Sequence, residues 1–339
     1  MGYGEYSAPK WDSMKEDRES RGESDFKYSE DTTATGRPEV HPDLDPKDIY
    51  RKGKLFRESR DSVNHPQSTP VSVFFDETGS MDVVPQLLAK KLTLLPEVLE
   101  NKAYITDPQI MFGAVGDATY CRDFVPLQIG QWESDVSMDV QLRNIVLEGE
   151  GGGYGQESYE LVFYMMARHT DMDCWNKRGQ KGYLILILDE KAYPYVKAEK
   201  VRELVGDTLR QDIRFEDIVA EVQQRFNVFC IIPHGTTGAN RHDVRDYWER
   251  QLGGKQFVFS LEDPAAVCET IAMLIGLVED VVSIDEAKKD LKAIGADPRY
   301  IESASKALTT YTNSLQKGSN TGLSGLKKDD DKRGGSKRL

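Results

Sequence analysis

The sequence predicts an α/β fold, a doubly wound and mainly parallel sheet with helices on both faces. Short runs of β-branched and aromatic residues, apolar almost throughout, recur along the chain as strands buried on both sides would. Amphipathic helical stretches separate them over roughly 210 residues. Hydrophobic residues make up only 39% of the 339, and charged residues 30%. That mix implies a real core diluted by disordered ends.

The first strand is VSVFF from Val71, and the turn Asp76-Glu77-Thr78-Gly79-Ser80 follows it directly. A helix is predicted over 82–101, where Val83, Leu87, Leu88, Leu92, Leu95 and Leu99 recur at steps of three and four. Strands over 109–115 and 126–132 come next, then a helix over 134–147 and a glycine cluster over 149–155. A helix over 158–169 leads to the clearest buried strand, 182–188. Beyond it the pattern predicts helix 198–226, strand 228–232, helix 242–252, strand 256–260 and helix 265–280.

Residues 1–70 carry 15 acidic and 12 basic residues with almost no apolar periodicity. Such a segment buries too little apolar surface to offset its ordering entropy. It is expected to be disordered or ordered by a partner, with 48–57 as a short helix formed on docking. The domain proper is expected over 71–282, a helical appendage over 283–316 and a disordered basic tail over 317–339. Residues 327–339 hold six basic and three acidic side chains, read as a solvated tail.

Several classes are excluded. The formal charge of −13 argues against nucleic-acid binding through a broad basic face. No run of 18 apolar residues is present, so no membrane span is expected. The N-terminus lacks the apolar core of a secretory signal. Cys121, Cys174, Cys230 and Cys268 have neither zinc-ligand nor disulfide-framework spacing, which favours reduced thiols and a cytoplasmic location. No P-loop and no dinucleotide-binding glycine pattern occurs. Ser134 and Asp135 read as cap and first-turn residues of a helix, and His234 and His242 as the borders of a surface loop.

In a doubly wound sheet, ligands bind at the carboxyl ends of the strands. The polar residues leaving those ends are Asp76, Thr78 and Ser80 after the first strand, Asp117 after the second, and Asp189 and Glu190 after the fourth. Asp76-x-Thr78-x-Ser80 places a carboxylate and two hydroxyls on alternate positions of a tight turn. Such oxygens suit a hard cation, and Asp189 supplies a second charge.

VFFDETGSM, followed by a helix, resembles the metal-ion-dependent adhesion site of von Willebrand factor type A domains, a Rossmann-like fold. FGAVGDATYCRD resembles that family's second strand and its exit. The Gly151-Gly152-Gly153 stretch with Glu157 resembles the glycine-rich loop, and LILILDE the fourth strand ending in Asp. The resemblance implies Mg²⁺ or Mn²⁺ held by Asp76, Thr78, Ser80 and Asp189, with Asp117, Glu157 and Ser158 as further candidates. GGGYGQES departs from the family in offering no Thr or Asp, and Glu190 stands where a Gly is usual. The implied function is binding rather than catalysis: a protein partner's Asp or Glu carboxylate completes the metal shell. Intracellular relatives often work beside AAA+ ATPases or in large assemblies, and any such ATPase would be a separate subunit.

Two alternatives accompany this reading. Asp76 resembles the phosphorylated Asp of haloacid-dehalogenase-type phosphatases and P-type ATPases, with Mg²⁺ beside it. In those enzymes, however, the acidic metal loop comes late in the fold, whereas Gly116-Asp117 follows Asp76 by some 40 residues. The other alternative is a structural assembly protein with a vestigial metal site and functional tails.

Overall fold

The structure is a computed structural model that describes residues 4–47, 57–77, 79–81, 83–91, 93–121, 123–149, 155–236 and 242–320; the side chains of Ser80 and of 315–320 are also outside the description. Six strands form the central sheet: β1 (Thr69–Asp76), β2 (Pro108–Val115), β3 (Leu127–Ile129), β4 (Gly182–Ile187), β5 (Phe226–Pro233) and β6 (Val258–Leu261). Their spatial order is β6-β5-β4-β1-β2-β3. All neighbours are parallel except β3, which runs antiparallel to β2.

Register puts Asp76 opposite Val115 of β2, and Phe75 opposite Ile187 of β4. Because strand side chains alternate between faces, β1 feeds two cores. Val71, Val73 and Phe75 pack with Val84, Leu88, Leu99, Ile271 and Leu274 on one face. Phe74 packs with Leu161, Phe163, Ile218, Val222 and Trp248 on the other. From β1 the chain moves outward to β2 and β3, then returns to lay β4 against the opposite side of β1. The strand order therefore reverses between β1 and β4.

The predicted helix over 82–101 is two helices, Val83–Lys91 and Leu94–Asn101. Pro96 explains the break: a continuous helix would need its missing N–H and would drive its ring into the carbonyl four residues earlier. Within the first turn of a new helix neither problem arises. The predicted helix over 198–226 is also divided. A π-turn, Val201–Val205, ends at Gly206 in the left-handed region, φ +84°, and a separate helix runs over Phe215–Arg225. The helix predicted over 134–147 is confined to Ser137–Arg143. Its first turn is capped by Asp135, which accepts from Ser137 N, whereas Ser134 donates instead to Gly4 O.

Residues 4–47 and 57–70, expected to lack structure, are folded onto the rest of the chain. Helices Ala8–Arg21 and Lys27–Thr33 form here; Trp11, Phe26 and Leu44 are buried, and Phe26 and Leu44 join the core that contains Leu88 and Ile271. Arg57–Ser59 pairs in parallel with Thr170–Met172. Ser29 Oγ accepts from Leu147 N at 2.8 Å, and Arg18 meets the buried Asp139 at 3.4 Å. The composition argument fails because it treats the segment alone, while its order comes from a few apolar anchors and from polar groups completed by the domain. Residues 48–56 lie outside the described residues.

The appendage is three helices, Ile284–Ala293, Pro298–Ala307 and Thr309–Asn320. Leu291, Ile301, Leu308 and Tyr311 join the core that contains Ile271 and Leu274. The last helix passes the expected boundary at 316, and the tail over 321–339 lies outside the described residues. Cys174, Cys230 and Cys268 are buried free thiols, and His234 and His242 are exposed. Among the described residues, no helix is long and apolar enough to cross a membrane.

Candidate functional site

Asp76 is the last residue of β1, and Asp189 lies two residues past the end of β4, so the two flank the strand-order reversal; both are fully buried. Glu157 arrives from a two-residue strand, Gln156–Glu157, that pairs with Lys191–Ala192 just beyond Asp189. Tyr159 follows on the next helix and donates its hydroxyl to Asp76 Oδ2 at 2.7 Å. Burial first, and then the charges of Asp76, Asp189 and Glu157, push the Tyr159 phenol well above its usual range. One ring hydroxyl thus reports three of the predicted residues around it.

Glu157 is the most unusual group in this set. It is 1% exposed, and among the described residues neither carboxylate oxygen has a hydrogen-bond partner. Burial, followed by the charges of Asp76, Asp117, Asp123 and Glu190, pushes its carboxyl up to about 11. Glu77 is buried beside it: Oε2 accepts from Gln128 Nε2 at 2.9 Å, and Oε1 has no partner among the described residues. Burial, then Glu148, Asp123, Asp76 and Glu157, raise it well above the carboxylate range. A buried acid without a partner is costly in either protonation state: ionised it lacks solvation, and protonated it lacks an acceptor.

Asp117 and Ser158 have a different employment. Asp117 accepts from the backbone N–H groups of Thr119, Tyr120 and Cys121 and from Tyr193 Oη at 2.9 Å, which uses its acceptor capacity to shape a loop. Ser158 Oγ accepts from Ala118 N at 3.0 Å and ties that loop to the following helix. Asp123 accepts from Asp117 N and Glu148 from Phe124 N, so carboxylates brace the loop throughout. Burial and the charges of Glu148 and Asp117 outweigh that backbone bond and hold Asp123 up at about 6. The braced loop leaves the rings of Tyr120 and Phe124 62% and 60% exposed. Gly116 opens the loop where a Cβ would stand 2.4 Å from Asp123 Oδ2 and 3.0 Å from Glu77 Oε1.

Thr78 and residues 151–154 lie outside the described residues, as does the Ser80 side chain. Gly79 is described and lies against the glycine cluster: a Cβ on it would stand 2.8 Å from Gly149 O. Among the described residues, no three carboxylate, imidazole or thiolate groups converge on one point as a ready-made metal shell. The structure gathers Asp76, Asp189 and Glu157 at one edge, and gives Asp117 and Ser158 to the neighbouring loop. Sequence reasoning missed Glu77, Asp123 and Tyr159. Glu77 and Asp123 were legible as carboxylates inside the quoted segments; nothing in the sequence aims the Tyr159 hydroxyl at Asp76.

No family model matches the sequence, and no curated protein matches it. Among solved structures, the pilus adhesin SpaC from Lactobacillus rhamnosus GG, in its open conformation, is similar at a TM-score of 0.37 and 10% identity, over 66% of this chain and 30% of that one. Proximal thread matrix protein 1 from the mussel byssus is similar at 0.36 and 11% identity, over 63% of this chain and 48% of that one. The chain covers less than half of either protein, and likeness at this level assigns neither family nor function.

Proposed function

We propose that the chain is a doubly wound, von Willebrand type A-like binding protein whose carboxyl edge takes a divalent cation of the Mg²⁺ or Mn²⁺ class, and through it the Asp or Glu carboxylate of a partner protein. The observation that carries this reading is Glu157, a buried carboxyl whose two oxygens are unpartnered among the described residues and lie near other carboxylates. A cation removes the cost of burying it, and oxygen-rich donor sets are what hard divalent ions take.

In this reading Asp76 and Asp189, at the ends of neighbouring strands, hold the ion together with the hydroxyls of Thr78 and Ser80 that the sequence leads one to expect. Tyr159 fixes the orientation of the Asp76 carboxylate through Oδ2. Burial and neighbouring acids raise the carboxyls of Glu157 and Glu77, a direction that eases repulsion at the edge. Bound there, the ion supplies a coordination position for an incoming carboxylate. Tyr159 also blunts Asp76 as a nucleophile, which favours binding over phosphoryl transfer.

Calorimetric titration of the full chain with Mg²⁺ and with Mn²⁺ tests this. A saturable heat is expected in the wild type and is lost in Asp76→Ala. No heat in the wild type overturns the reading and leaves a structural role.

A further inference from the structure

We propose that the cleft between the amino-terminal helices and the helix Ser137–Arg143 binds an organic monocarboxylate of amino-acid size, through the side edge of the Arg18 guanidinium. The site is separate from the strand-end edge and independent of the cation reading. Met14, Arg18 and Ser24 line one cavity with Val140, Arg143 and Asn144, and its volume is about 260 Å³. Sites for drug-sized ligands run from about 300 to 1,000 Å³, so this one suits a smaller group. Its geometry follows from the end of helix Ala8–Arg21 at Gly22, φ +66°, a left-handed turn that glycine adopts without strain. Ser24 and Asp25 leave that turn, and Phe26 beyond them anchors the chain in the core.

Arg18 reaches this cavity with its bonding unfinished. Its Nη1 meets Asp139 Oδ2 at 3.4 Å, long for a charged pair. Asp139 is held more closely by Arg143, whose Nε donates to both of its oxygens at 2.9 Å, while Arg143 Nη1 meets Asp25. Arg18 Nε and Nη2 are buried and have no hydrogen-bond partner among the described residues, and the same holds for Ser24 Oγ. Nε and Nη2 form the edge of the guanidinium whose two parallel N–H groups match the two oxygens of a carboxylate. Burial, and then the charge of Arg143, lowers the Arg18 guanidinium from its usual value, so Asp139 compensates it only in part.

The donors fix the sign of the ligand, and the rest of the lining fixes its class. A guanidinium only donates, so its free edge needs acceptors, and ionised acceptors make the stronger bonds. Arg18, Arg21, Lys27 and Arg143 line the cavity together with Asp17, Glu23 and Asp25. That balance suits one negative charge and disfavours two, which selects a carboxylate over a phosphate dianion. Met14, Tyr28 and Val140 supply an apolar wall, and Val140 is 44% exposed. An aliphatic or aromatic body on the carboxylate covers that wall and removes it from water. A free acid and the C-terminal residue of a peptide offer the same chemistry to the Arg18 edge.

The test titrates the full-length wild type, Arg18→Lys and Arg18→Met calorimetrically with phenylpropionate, its amide and inorganic phosphate, all in EDTA so that the cation site plays no part. Saturable binding of the acid to the wild type is expected. It should weaken about tenfold or more in Arg18→Lys, which keeps the charge and loses the paired donors, and disappear in Arg18→Met. The amide should bind the wild type at least about tenfold more weakly than the acid, a contrast that decides the matter even if a variant fails to fold. Equal binding of acid and amide, or binding of the acid that survives Arg18→Met, overturns the assignment. Tighter binding of phosphate than of the acid overturns the monocarboxylate class. No binding of any probe leaves the Arg18 edge to water, and the proposal falls. A tripeptide ending in phenylalanine, with its carboxyl free or amidated, then separates the sources: if the free form binds more tightly than phenylpropionate the ligand is a peptide terminus, and if more weakly it is a free acid.

Discussion

The two ends of β1 each gather carboxylates, and they treat them in opposite ways. At the amino end, Asp61, Asp171 and Asp173 surround Arg60, Lys177 and Arg178: Arg178 Nη1 meets Asp61 at 2.7 Å, Lys177 meets Asp173 at 2.8 Å, and Arg60 meets Asp173 at 3.1 Å. Burial alone would raise Asp61, yet hydrogen bonds from Arg178, Ser68 and Lys177 hold it down at about 2. At the carboxyl end, burial and neighbouring acids drive Glu157 the other way, to about 11. One end carries its counter-charges in the sequence. The other gathers buried acids with raised carboxyls, a demand for positive charge that the proposed cation would meet.

The sharpest way to break this comparison is pH. Below about 4.5, Glu157 is protonated in both folded and unfolded chains and affects stability little. Above that, the unfolded chain releases the proton that the folded chain keeps, so metal-free stability falls as pH rises, by at most about 1.4 kcal/mol per unit from this group. Urea melts of Glu157→Gln and wild type in EDTA should therefore converge near pH 5 and diverge by pH 8, with the variant more stable. Saturating Mg²⁺ should flatten the wild-type slope, and parallel pH profiles for the two chains would contradict the comparison.

Arg60→Ala comes next, with an expected loss of about 2 kcal/mol at pH 7 because it strips charged partners from Glu58, Asp171 and Asp173. Burial alone would raise Asp173, yet hydrogen bonds from Lys177, the Asp61 N–H and Arg60 hold it below its usual 3.8, so its contribution is present above pH 3.8 and is lost as pH falls below that value. Acid unfolding followed by tryptophan fluorescence should begin at higher pH in Arg60→Ala, and its Mg²⁺ titration should match the wild type. The smallest effect is expected for Tyr159→Phe, about 1 kcal/mol from the lost bond to Asp76. Its Mg²⁺ affinity should shift by less than tenfold, since the carboxylate itself remains.

The sheet was readable because β1, β2 and β4 are apolar in nearly every position, a pattern that only a strand covered on both faces tolerates. Helix breaks at Pro96 and Gly206 were visible as residues and outweighed by the surrounding apolar spacing. The edge was readable through Asp76 and Asp189, which leave strands directly. What composition hid was the amino-terminal segment, whose order depends on Asp139, Leu147 and Thr170–Met172. Those partners lie a hundred residues away in the chain, where no local window reaches. Asp117 was likewise visible as an acid, but its role in holding three N–H groups depends on a loop conformation that sequence does not specify.

The pairing of Arg57–Ser59 with Thr170–Met172 also sets an order of assembly. Arg60 and Asp173 are 113 residues apart, and Arg18 and Asp139 121. At translation rates of 5–20 residues per second, the amino-terminal segment waits roughly 5–20 s after its own synthesis before these partners exist. Contacts of such separation also close late, since the chain entropy is lost before the contacts are gained. Trp11, Phe26 and Leu44 are its buried apolar anchors, dispersed among charges. The polar composition therefore keeps this segment solvated until its partners, made more than a hundred residues later, have emerged.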